Sequence, residues 1–234
     1  MRAIRLTAWE QPAQLVEVTE PEPGPGEVLV RVAGAGLCHS DLHLMHWRAG
    51  SLPYELPFTL GHEVAGTVAA LGPGAVGLEV GEPVLVYGPW GCGRCRACSV
   101  GAEHLCDDER TARGAGLGRD GGLAEYMVVP SPRLTVPLDG LDPVAAAPLA
   151  DAGLTPYHAI RRVLHLLRPG TSAVVIGVGG LGHVAVQLLK ALSPARVVAV
   201  DRRAEALEVA ARSGADAVLP ASGLVPAQLR AAAG

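Results

Sequence analysis

Aromatic residues make up only 3% of this 234-residue chain, and lysine occurs once, at Lys190. So few rings leave little with which to stack the bases of a single strand. The preference for arginine over lysine is read as genome composition and carries no functional argument. Charged residues amount to 18% with a net charge of −4, so nothing suggests a polyanion or an anionic membrane surface as partner. No apolar run reaches the length of about 18 residues that a spanning helix needs. The opening MRAIRLTAWEQP has no apolar stretch of about 7–15 residues after its charges, which argues against a secretory signal. A cytoplasmic protein is therefore expected, with neither nucleic acid nor membrane as partner. In that compartment the five cysteines should be thiols or metal ligands, not disulfides.

What is present changes character near residue 150. Before it, short β-like runs at 28–33, 64–71, 84–87 and 123–129 alternate with Gly/Pro turns, which suggests a barrel-like all-β domain. Asp142-Pro143 reads as a helix N-cap with proline at the first helical position. After it a helix is expected over 155–167, and over 173–176 an apolar strand of the kind buried on both faces in a complete sheet but left as an exposed edge in half of one. A second helix should run to about residue 192, a strand over 196–200, a helix over 204–213 and a strand over 217–219. This is a β-α-β-α-β half of a doubly wound sheet. The expected fold is α/β, with a β-rich domain over 1–150 and the first half of a nucleotide-binding domain over 151–234. The Ala-rich tail at 231–234 is given no structural part.

Cys92, Cys95, Cys98 and Cys106 follow the spacing C-x2-C-x2-C-x7-C, within a lobe expected at 91–107. Four thiolates at tetrahedral corners close a zinc site completely and make it structural. Glycines at 91, 93 and 101 would permit the tight turns. Two small-loop disulfides are the other reading. Further on, Gly177-x-Gly179-Gly180-Leu181-Gly182 follows an expected strand and opens an expected helix, with Asp201 at the end of the next strand. Glycines let the backbone approach a pyrophosphate, and the helix N-terminus offers N–H donors. The Asp201 carboxylate suits ribose hydroxyls and repels a 2′-phosphate, favouring NAD over NADP. Arg202 and Arg203 pull the other way. Cys38 and His62, taken alone, are as readily a buried thiol and a core imidazole.

The chain resembles the zinc-dependent medium-chain alcohol dehydrogenases. The resemblance rests on Gly61-His62-Glu63-Val64-Ala65-Gly66 with Gly72 beyond it, on the four-cysteine lobe and on the glycine-rich turn, in that order. It implies a GroES-like catalytic domain followed by an incomplete Rossmann domain, the chain stopping short of the second half. It also implies two zinc ions per chain. Cys38, His62 and Asp151 would hold the catalytic one, with Asp151 standing where many members have cysteine. Asp is a normal zinc ligand; Asp151 could instead be a plain helix N-cap. Glu63 is implied as an occasional ligand or one behind the metal. Ser40 and His43 hold the positions of a proton relay, and His43 could equally be a wall or surface histidine. Thr155 would pack near the nicotinamide. The implied reaction interconverts a primary or secondary alcohol and an aldehyde or ketone by hydride transfer to NAD, in a homodimer or homotetramer. Polyol, threonine and formaldehyde dehydrogenases share the scaffold, and an inactive zinc- and nucleotide-binding fragment is the rival from another class. Trp47, Tyr87 and Trp90 line a substrate pocket or simply pack.

Overall fold

The computed structural model describes residues 1–108 and 114–234. It divides into two compact units, Met1–Asp151 and Ala152–Gly234. The first runs β1 (Arg2–Leu6), β2 (Gln14–Glu17), β3 (Val28–Gly36), α1 (His39–His46), β4 (Phe58–Thr59), β5 (Glu63–Leu71) and β6 (Pro83–Val86). It continues through α2 (Arg96–Ser99), β7 (Gly114–Ala115), β8 (Gly118–Arg119), β9 (Tyr126–Val129), β10 (Thr135–Pro137) and α3 (Pro143–Ala146).

A five-stranded sheet in the order β10-β6-β5-β3-β9 carries this unit. Its strands alternate, and their inward residues share one core: Val28 and Val30 from β3, Val64 and Val68 from β5, Val84 and Val86 from β6, Met127 and Val129 from β9. Each valine so buried is worth roughly 1.5–3 kcal/mol. A second sheet, β2-β1-β4, carries a smaller core of Leu6, Leu44, Phe58 and Leu60.

The expected strand over 123–129 is shorter in the sheet because its first residues serve β1 instead. Leu123 O accepts from Ile4 N at 2.8 Å, and Ala124 bridges Ala3. Conversely, β3 runs three residues past its expected end. Beyond an irregularity at Val32/Gly34 it keeps pairing with β5 until Gly36 faces Glu63. Small residues at 33–36 hid that extension, and the neighbouring strand supplied the partners. Asp142 caps α3, its Oδ1 accepting from Ala145 N at 2.9 Å, a contact worth about 1 kcal/mol.

The second unit runs α4 (Leu154–Val163), β11 (Ser172–Ile176), α5 (Gly180–Leu192), β12 (Arg196–Asp201), α6 (Ala204–Arg212), β13 (Ala217–Pro220) and α7 (Pro226–Ala233). The three strands form a parallel sheet in the order β11-β12-β13. Central β12 is buried over Val197, Val198, Ala199 and Val200, as a strand covered on both faces should be. Strand β11 is apolar enough for burial on both faces but takes the exposed edge expected of a half domain. Ala173 and Val175 are turned to the core while Val174 and Ile176 are exposed. The tail, by contrast, departs from its expectation. Residues 226–233 form α7, with Pro226 in the first turn, and the helix end is tied to β11 and β12. Ser172 Oγ donates to Ala233 O, and Arg196 Nε donates to Ala232 O at 2.7 Å. Low side-chain information in an Ala-rich run concealed a helix that backbone and side-chain hydrogen bonds fasten. No helix among the described residues is long and apolar enough to cross a membrane.

Candidate functional site

The pairing of Gly36 with Glu63 brings the end of β3 beside the start of β5. Cys38 lies two residues past the first and His62 one residue before the second, so strand register alone draws a thiol and an imidazole together. Asp151 arrives from the far end of the unit. It follows a 3-10 turn, Ala147–Ala150, whose Ala147 packs with Ala65 of β5. Cys38 Sγ lies 3.5 Å from Asp151 Oδ2, and His62 Nε2 lies 3.7 Å from the same oxygen. The donor atoms of the three residues all fall within 4.8 Å of one another. Tetrahedral zinc with bonds of about 2.0–2.3 Å would set donor-to-donor edges of roughly 3.3–3.8 Å, so the set fits such an ion. Asp151 does not cap the helix after it. Gly153 occupies that position, with no side-chain cap.

The electrostatics agree with the geometry. His62 is 6% exposed, and burial alone pushes its pKa down. Hydrogen bonding to Asp151 and Cys38, with the charges of Asp41 and Cys38, outweighs burial and raises it to about 9. The surroundings of His62 thus favour a positive charge.

Asp41, which sequence reasoning passed over, holds the arrangement. It is 1% exposed and sits in the first turn of α1. Its Oδ2 accepts from Cys38 N at 2.9 Å, its Oδ1 accepts from Gly61 N at 3.3 Å, and Oδ1 faces His62 Nδ1 at 3.8 Å. One carboxylate therefore braces the segments bearing both residues and leaves Nε2 for the pocket. The signal was there: an acid three residues after a helix-capping position is half of a capping box.

Of the other expected residues, Ser40 Oγ lies 3.4 Å from His62 Nε2, beside the trio. His43 is exposed on α1, its ring 4.7 Å from that of His39. Glu63 is buried next to His62, and a Cβ on Gly36 would overlap its carboxylate. Trp90 is a core residue, 3% exposed, with its Nε1 donating to Tyr87 O at 2.8 Å. Tyr87 packs against the same core, whereas Trp47, just after α1, is 39% exposed.

Cys92, Cys95, Cys98 and Cys106 form a second cluster, with sulfurs within 4.8 Å of one another and no disulfide. The lobe's own amides point at these sulfurs. Cys92 N donates to Cys106 Sγ at 3.3 Å, Cys95 N to Cys92 Sγ at 3.3 Å and Cys98 N to Cys95 Sγ at 3.5 Å. Gly91 is needed for space, since a Cβ there would meet Cys98 Sγ at 2.5 Å. Burial, then its sulfur neighbours, push the Cys98 thiol up to about 12, while the amides of Cys98 and Asp107 lower that of Cys95. Four thiolates can share so small a space only around a cation, and the donor set suits zinc. Buried Glu103 pairs with Arg133 and anchors the lobe to the strand region that follows.

In the second unit, Gly177 takes φ +87°, and its carbonyl lies where a Cβ on Gly182 would sit. Gly179 and Gly180 face open space, as a close ligand approach requires. Gly179 is the N-cap of α5, and Leu181 lies in its first turn. Asp201 Oδ2 accepts from Val178 N at 2.7 Å and Oδ1 from Arg203 N at 2.9 Å. The amide of Arg203, then that of Val178, hold its carboxyl below the usual range, so it stays charged. Arg202 is exposed beside it, and Thr155 is exposed in the first turn of α4.

The alcohol dehydrogenase GroES-like domain profile matches residues 24–140. An NAD-dependent alcohol dehydrogenase of Sulfurisphaera tokodaii is 43% identical, over 97% of this chain and 66% of its own length. The crystal structure of the alcohol dehydrogenase from Aeropyrum pernix superposes with a TM-score of 0.87 at 41% identity, covering 95% of this chain and 65% of that one. A cobalt- and zinc-bound thermostable alcohol dehydrogenase from Pyrobaculum aerophilum gives 0.82 at 36% identity, covering 94% and 64%. The chain thus spans about two thirds of the length of the relatives it matches. The profile takes in half of the chain, including the segments that carry Cys38, His62 and the cysteine lobe, and on that ground the chain belongs to the alcohol dehydrogenase GroES-like domain family.

Proposed function

We propose that the protein is a zinc- and NAD-dependent oxidoreductase that interconverts a primary or secondary alcohol and an aldehyde or ketone. The observation that carries this reading is the convergence of Cys38 Sγ, His62 Nε2 and Asp151 Oδ2. Three protein donors leave one corner of a tetrahedron for a small molecule, which is the mark of an open site. Zinc there would act as a Lewis acid on a hydroxyl or carbonyl oxygen. The thiolate and carboxylate balance its charge. Glu63 backs the site as a reserve ligand.

Ser40 Oγ, beside His62, would accept a hydroxyl proton from that corner while releasing its own toward His43. His43, exposed on α1, hands the proton to solvent. Gly177, Gly179, Gly180, Leu181 and Gly182 cradle the NAD pyrophosphate, Asp201 and Arg202 meet the adenosine ribose, and Thr155 packs near the nicotinamide. The cysteine lobe holds a second, structural zinc. We also assign the protein to the cytoplasm, in keeping with five cysteines that form no disulfide, and expect a homo-oligomer.

The test is NADH formation from a panel of primary and secondary alcohols, using protein expressed from its complete reading frame. The unaltered enzyme should turn over with two zinc ions per chain. Cys38→Ser should lose turnover and one zinc while its circular dichroism is unchanged. Full activity in Cys38→Ser would overturn the assignment.

A further inference from the structure

Outside the trio and the cysteine lobe, one more pair of metal-seeking side chains is already in register. His39 and His43 are four residues apart on α1, so their side chains share a face. Both are exposed, and their rings stand 4.7 Å apart between centroids with an interplanar angle of 83°. An ion bound by two imidazoles at about 2.0–2.1 Å, under right to tetrahedral angles, would hold the ring centres about 4.5–5.2 Å apart. The observed spacing falls inside that range. Edge-to-face packing alone would also tolerate it, but packing does not require two histidines on an exposed face. We infer that His39 and His43 form a third metal site, a solvent-facing chelate for an imidazole-preferring divalent ion such as Zn²⁺, Ni²⁺ or Cu²⁺, with water completing the coordination.

Histidine 46, one turn on, is not part of the pair. Its Nδ1 is engaged with Leu42 O at 2.7 Å, and it serves as the control. The consequence for activity rests on the reading of His43 as the proton outlet. An ion on its ring occupies the lone pair that must accept the proton, so the chelate is inhibitory.

Calorimetric titration of the zinc-loaded protein with Ni²⁺, in the absence of nucleotide, tests the site. One Ni²⁺ per chain should bind with both resident zinc ions retained by elemental analysis. His39→Gln, at an exposed position, should weaken that binding about tenfold or more, and His46→Gln should leave it unchanged. Absence of a Ni²⁺ event, or one that survives His39→Gln, overturns the proposal. In the activity assay Ni²⁺ should inhibit the unaltered enzyme reversibly and spare His39→Gln. Binding that depends on His39 but leaves turnover untouched would uphold the site and remove His43 from the proton path.

Discussion

Two residues outside the trio shape the ground on which it stands. Asp41 ties the Cys38 and Gly61 amides together, and Gly36 leaves room for the Glu63 carboxylate where any Cβ would lie. The second leads to a sharp expectation. Gly36→Ala forces Glu63 to move or β3 to part from β5, an overpacking cost of about 1–3 kcal/mol. Because His62 is the next residue, the displacement should also lower the affinity of the trio for zinc. Denaturant titration and zinc content check both effects, and unchanged zinc affinity would mean that Glu63 does not support the metal. In the second unit the residue we propose as discriminating between the cofactors is Asp201. Its carboxylate is kept charged by backbone amides and so opposes a 2′-phosphate. A preference for NAD⁺ over NADP⁺ in kcat/KM should collapse by about tenfold or more in Asp201→Gly, the equivalent of at least 1.4 kcal/mol of lost discrimination. Equal use of both cofactors by the unaltered enzyme would shift the weight to Arg202 and Arg203.

At the scale of elements, the parallel sheet has its own electrostatic tie. Asp216, just before β13, accepts from Val197 N of β12 at 2.7 Å and from Lys190 Nζ of α5 at 3.0 Å. The Val197 amide first, then Lys190, hold its carboxyl below the ordinary range. A carboxyl whose pKa is lower folded than unfolded stabilises the fold fully above about pH 4, and that support fades as pH falls through the lowered folded value. Asp216→Asn should therefore cost about 1 kcal/mol at pH 7, a modest figure because Lys190 is 38% exposed. The gap should close in acid; a gap that persisted would point to packing instead of charge. Elements of this unit were legible in the sequence because strand and helix periods alternate with Gly and Pro stops, and the boundaries at 192 and 217 fall where the pattern places them. Short β1, β2 and α1 were not. Their residues carry weak periodicity, and α1 buries only Asp41 and Leu44, so partners elsewhere in the chain define it.

At the scale of the molecule, the trio and the cysteine lobe differ in what they ask of the fold. The trio was readable only in part, since Cys38 and His62 are near in sequence whereas Asp151 reaches them through the packing of Ala147 on Ala65. That packing also frames the trio with β3, β5 and the 3-10 turn, so we expect it to keep its shape without an ion. The lobe has no such frame. Its regular structure is the four-residue α2 and one 3-10 turn, fastened by Glu103–Arg133 and by amide-to-sulfur contacts. Metal binding there should be coupled to folding, while an ion held by only three protein donors in the trio should exchange more readily. Dialysis against a chelator should consequently remove one zinc per chain first, abolishing turnover with no change in circular dichroism. The second zinc should leave later, together with the local order of residues 91–107, read as new proteolytic cleavage there. A ligand present at a thousand times its Kd contributes about 4.1 kcal/mol, so restoring zinc should raise the thermal midpoint through each site in proportion to the logarithm of its affinity. Zinc content, dichroism and cleavage followed over one time course decide the matter. Simultaneous loss of both ions with unfolding would show that the trio, too, depends on its metal for shape.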